Sequence, residues 1–75
     1  MNYRQAIKIM TDLVPKNIVW SIDLQHRCYW GDGSSRQARF IWLGDPIHKF
    51  FGGEITWQSA VDQALVALRD KGLIK

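Results

Sequence analysis

Cysteine is nearly absent, with Cys28 alone in 75 residues. A lone thiol forms no intramolecular disulfide and no multi-cysteine zinc or iron–sulfur site, so neither staple holds this fold and a cytosolic home is expected. Proline is scarce too, at Pro15 and Pro46 only. No apolar run approaches the ~18 residues of a membrane span, and Asn2, Arg4 and Gln5 stand where a secretion signal would be basic and then apolar. No membrane partner is expected. Acidic residues are outnumbered, seven Asp and Glu against ten Lys and Arg, for a formal charge of +3. Length sets the last exclusion, because a chain this short makes one domain and seldom supplies both a packed core and a water-excluding pocket. The sequence therefore reads as a non-enzyme with no catalytic residue and no cofactor.

What is present is hydrophobic material: 47% of the residues, with four Trp, three Phe and two Tyr. Tyr3, Ala6, Ile7, Met10, Leu13 and Val14 repeat with the 3.6-residue period of one helical stripe. Asn2 is placed to cap that helix, with Gln5 completing a capping box, and Pro15 ends it, which predicts a helix over about 3–14. From Asn17 the period becomes two. Ile18, Trp20, Ile22 and Leu24 share one face and Val19, Ser21, Asp23 and Gln25 the other, a half-buried strand. A second strand is read over His26 to Trp30, a hairpin at Gly31-Asp32-Gly33-Ser34-Ser35, and a third strand over about Gln37 to Leu43. Alternation alone leaves the inward face of that third strand open. Phe40 and Trp42 are expected inside, because that exposes the charged Arg39. Residues 45–53 read as either one helical turn after Asp45-Pro46 or a short extended edge segment, ended by Gly52-Gly53.

The last helix is the plainest element. Thr56 caps it, Trp57, Ala60, Val61, Ala64, Leu65 and Leu68 form its stripe, and Gly72 with Leu73 suits a Schellman ending. The fold class that follows is α+β: a two-layer sandwich ordered helix–strand–strand–strand–helix, with an antiparallel three-stranded sheet and both helices on one face.

Chemistry-bearing motifs are few. His26 and Cys28 share a strand face and His48 is a third ligand type, but no fourth has recognisable spacing, so no metal is expected. The run Gly31 to Arg39 offers glycines and two arginines to an anion, yet lacks the Gly-Lys-Ser/Thr of a phosphate-binding loop. Residues 1–50 hold the basic excess, seven Lys and Arg against four Asp. Trp20, Trp42 and Trp57 lie on apolar faces and read as core. With Cys28 and Trp30 turned inward, Arg27 and Tyr29 would point outward beside Arg39 and Ile41, an aromatic and a branched aliphatic among guanidinium groups, a mixture suited to a protein interface or to base stacking. Arg27, Tyr29, Arg36 and Arg39 are the expected partner-binding residues.

The order of elements and the run Gly31-Asp32-Gly33-Ser34-Ser35-Arg36-Gln37-Ala38-Arg39 resemble the double-stranded RNA-binding domain. In that family the basic run opens the second helix, whereas here Phe40-Ile41-Trp42-Leu43 continues it as a strand. Thr56, Ala60, Ala64, Leu65, Ala67 and Leu68 give a looser but wider likeness to small phage and prophage accessory proteins of α/β sandwich organisation. That resemblance implies a phage-encoded protein, of anti-CRISPR or similar kind, in the bacterial host cytoplasm. It would act as a monomer or weak homodimer by covering a host protein or ribonucleoprotein complex. Direct nucleic-acid binding is the alternative expectation.

Overall fold

The computed structural model describes residues 1–29, 31–54 and 56–75, without the side chains of Cys28, Tyr29 and Glu54. The elements are α1 (Tyr3–Leu13), β1 (Trp20–Tyr29), β2 (Ser35–Leu43), β3 (Lys49–Glu54) and α2 (Trp57–Asp70). The sheet is antiparallel in the order β1-β2-β3. The expected α+β class and element order are therefore observed.

Both helices begin and end for local reasons. The Asn2 side chain accepts from the Gln5 backbone N–H at 2.9 Å, and the Gln5 side chain accepts from the Asn2 N–H at 2.8 Å, which closes the capping box. Val14 leaves the helical region ahead of Pro15. Thr56 Oγ1 accepts from the Ser59 N–H at 3.3 Å to start α2. At its far end the Leu73 N–H donates to the Leu68 carbonyl and the Gly72 N–H to the Arg69 carbonyl, with Gly72 at φ 71°. This is the two-bond Schellman pattern.

One core joins the two layers. Ala6 and Met10 of α1, Ile41 and Leu43 of β2, Phe51 of β3, and Trp57, Ala60, Val61, Ala64, Leu65 and Leu68 of α2 are buried in a single cluster. Trp20, Ile22 and Leu24 of β1 are only partly buried against it. Both helices thus share one sheet face; on the other, which no described helix covers, Ala38 is buried, Phe40 and Trp42 are half-buried and Phe50 is exposed.

Two details correct the sequence reading and a third settles an alternative it left open. Residues 17–25 and 26–30 were expected as two strands, but Trp20–Tyr29 is one strand whose register shifts between Gln25 and Cys28. His26 and Arg27 interrupt the alternation because they sit at an irregularity within a strand, where the inside–outside order slips. The third strand is Lys49–Glu54, the extended alternative for residues 45–53. It follows a turn in which the Ile47 and His48 N–H groups both donate to the Gly44 carbonyl. Finally, the faces of β2 are the reverse of those expected: Ile41 and Leu43 are fully buried, while Phe40 and Trp42 are half-buried on the open side.

Candidate binding face

The reversal of β2 follows from what the helix side offers Arg39, its middle residue. Arg39 shares the inner face with Ile41 and Leu43, at the position where α2 begins. Its guanidinium carbon lies 5.9 Å from the Trp57 ring centroid, and its Nη2 donates to Gln37 Oε1 at 3.1 Å. A long stem can lie on apolar surface while its charge reaches the rim, so an arginine within a strand does not force that face outward. Ile41 and Leu43 then fill the core. Phe40 and Trp42 emerge on the far side.

The open face is consequently aromatic. Trp42 sits edge-on to His48 with ring centroids 6.0 Å apart, and its centroid is 6.4 Å from that of Phe50 on the neighbouring strand. Phe50 is 65% exposed. Phe40 stands one step along β2, opposite Asp23 of β1. Asp23, Gln25, Phe40 and Phe50 enclose a shallow depression of about 320 Å³. The loop residue His48 has φ 51°, a left-handed conformation that histidine tolerates better than most residues.

The four expected partner-binding residues do not come together as one group. Arg36 lies on the open face by alternation from Phe40 and Trp42, and Arg27 is exposed at the irregularity of β1. Arg39 lies on the opposite side of the sheet from Arg36, because the two are three positions apart, an odd number, in a strand. Tyr29 ends β1, but its side chain, like that of Cys28 and the whole of Trp30, lies outside the described residues. Trp42, expected in the core, belongs to the open face, whereas Trp57 is buried and Trp20 partly so. Among the described residues no group of three or more His, Cys, Asp and Glu side chains gathers for a metal ion.

The glycine-rich hairpin turns its donors inward. Asp32 Oδ1 accepts from the Ser34 N–H at 3.0 Å and from Ser34 Oγ at 2.6 Å, while Arg36 Nη2 lies 3.7 Å from Asp32 Oδ2. The loop therefore carries its own anion at the place where the sequence suggested a bound one. These contacts, the Ser34 hydroxyl first, hold the Asp32 carboxyl below the ordinary aspartate value of 3.8. A depressed folded-state value stabilises the fold above the unfolded value and loses that contribution as pH falls through the folded one. A carboxyl NMR titration should place Asp32 below the ordinary aspartate range, and Ser34→Ala should move its midpoint back up. An unchanged midpoint in that variant would refute the hydroxyl's role.

The aromatic platform was missed by the sequence reading. The available signal was the Phe50-Phe51 pair, since consecutive strand residues face opposite ways and two cannot both be core in a one-sided sheet. No protein-family model, curated protein or solved structure matches this chain.

Proposed function

We propose that this chain is a non-enzymatic binding module that covers a protein surface with the open face of its sheet. The observation that carries the reading is the run Phe40, Trp42 and Phe50 on the solvent side, beside a core already complete without them. A contiguous run of aromatics outside the core, two of them half-buried and Phe50 exposed, is unusual on a surface with no partner, and aromatic anchors supply most of the energy at protein interfaces. Arg36 and Arg27 stand toward the hairpin end of the same sheet, in keeping with a polar rim around an apolar centre.

Charge favours a protein over a nucleic acid. Asp23 lies opposite Phe40 on the neighbouring β1, flanking the platform, where a stacked nucleotide would bring its phosphate close to a carboxylate. Arg39, on the helix side, adds nothing to this face. A face of this kind, with binding and no chemistry, suits the role that the phage-protein likeness implies: occlusion of a host protein complex such as a defence effector.

The test is a photo-crosslinking experiment in bacterial cells. Benzoylphenylalanine at position 50 replaces one exposed ring with another, and the same group at Val66, an exposed residue of α2, is the control. Position 50 should yield a discrete light-dependent adduct that is protease-sensitive and nuclease-resistant, and position 66 should not. Phe50→Glu should weaken capture of that adducted protein by about tenfold or more with an unchanged melting curve. A nuclease-sensitive adduct, or equal adducts from both positions, would overturn the reading.

A further inference from the structure

The sheet has two edges, and they are protected unequally. Natural edge strands are blunted by shortness, bulges, lysines and nearby prolines, which keep them from pairing with other chains. β3 has all of these: six residues, a register break at Gly52 and Gly53, Lys49 at its start and Pro46 just before it. β1 runs for ten residues, and from Trp20 to Gln25 its register with β2 is unbroken. That stretch contains no proline, lysine or glycine, and Asp23 is its single charge.

The direction of its free backbone groups can be worked out. Gly44 N–H donates to the Val19 carbonyl at 2.7 Å, so Val19 turns its backbone toward β2. In an antiparallel pair this alternates, which gives Ser21, Asp23 and Gln25 the bonds to β2 and leaves the N–H and C=O of Trp20, Ile22 and Leu24 pointing away from the sheet. The side chains of these same three residues are only partly buried on the helix side. Among the described residues, the outer margin of β1 thus presents both unpaired backbone and apolar surface.

We propose that β1 pairs with β1 of a second copy, antiparallel and centred on Ile22, to make a continuous six-stranded sheet. In this register Ile22 faces its own equivalent, Trp20 faces Leu24 of the partner subunit, and all three outward-turned residues exchange backbone hydrogen bonds. Ser21 faces Asp23 of the partner subunit. Centring the pair on Asp23 would set two carboxylates directly opposite, and centring it on Ser21 would leave Leu24 facing residue 18, before the strand begins. Either odd offset would match outward groups with inward ones and apolar faces with polar ones. Charge and pattern therefore select one register. Helix layers then meet on one side, and the two aromatic faces lie together on the other. A seam of about five residues a side is small for a stable interface, so the association is reversible and concentration-dependent.

Position 21 provides an opposite-sign test, because it is exposed, faces away from the core and meets Asp23 twice across the dyad. Sedimentation equilibrium of the whole chain should show reversible dimerisation. Ser21→Asp should raise the dissociation constant by about tenfold, and Ser21→Lys should lower it, although lysine on an edge strand ordinarily discourages pairing. Matched thermal melts at low concentration verify that both variants are folded. In amide exchange, Trp20, Ile22 and Leu24 should become protected as concentration rises, with Ser21, Asp23 and Gln25 unchanged. A chain that stays monomeric to millimolar concentration overturns the proposal, as does a shift of both variants in the same direction.

Discussion

Gly52→Ala is expected to leave most of the protein unfolded at room temperature. Gly52 has φ 116°, a conformation that side-chain-bearing residues rarely adopt, and a Cβ there would run into the Arg39 carbonyl oxygen. The next atoms it would meet are Arg39 C at 3.1 Å and Phe40 Cα at 3.2 Å. All three are backbone atoms of the central strand, so no rotamer change relieves the clash. The backbone strain alone costs about 1–3 kcal/mol. The collision adds the cost of moving β3 off β2, which would also withdraw Phe51 from the core. A domain of this size has a total stability of order 5 kcal/mol. Gly53 separates the two effects, since it has φ 75° but a Cβ there would meet only the Phe40 ring, at 3.5 Å. Gly53→Ala should therefore fall between Gly52→Ala and Gly31→Ala, and the last should melt within about 0.5 kcal/mol of the parent because its added Cβ meets nothing within 4 Å. Urea and thermal melts of the three variants read the order directly. A Gly52→Ala protein as stable as the parent would mean that β3 does not carry this bulge.

That bulge also explains where sequence reading succeeds and where it stops. Helices announce themselves locally: the stripe of α1, its Asn2–Gln5 box, Thr56 and Gly72 are all set by residues within a few positions of one another. β3 has no such signal. Its residues Lys49-Phe50-Phe51-Gly52-Gly53-Glu54 do not alternate, and a glycine pair ordinarily marks the end of an element. Only pairing with β2, from Leu43 against Lys49 to Arg39 against Glu54, makes them a strand. His26 and Arg27 mislead in the same way, by breaking the period inside β1. The inward face of β2 is harder still, because Phe40 and Trp42 compete with Ile41 and Leu43 on equal hydrophobic terms. The contest is decided by packing against α2 and by the Trp57 ring taking the Arg39 guanidinium over it, both distant in sequence. Since the candidate binding face is the losing side of that contest, it was hidden for as long as the face was open.

The assignment of faces carries the second large effect. Ile41 is fully buried at the centre of the middle strand, so Ile41→Ala removes three methyl or methylene groups' worth of packing and leaves a cavity that the flanking strands cannot close. Such truncations cost about 2–5 kcal/mol, enough to unfold a large fraction of this domain. Phe50 is the counterpart on the other side, 65% exposed on an edge strand with the Trp42 ring beside it. Phe50→Thr deletes a larger side chain than Ile41→Ala does, yet threonine keeps the β-branched shape that strands favour and no buried volume is lost. Its cost should stay below about 1 kcal/mol. Denaturant melts of the two variants, with slopes compared to ensure that both unfold from the same compact state, decide the matter. If Phe50→Thr proves the more damaging, the aromatic side of the sheet is the core side, and the surface proposed for partner binding lies within the protein.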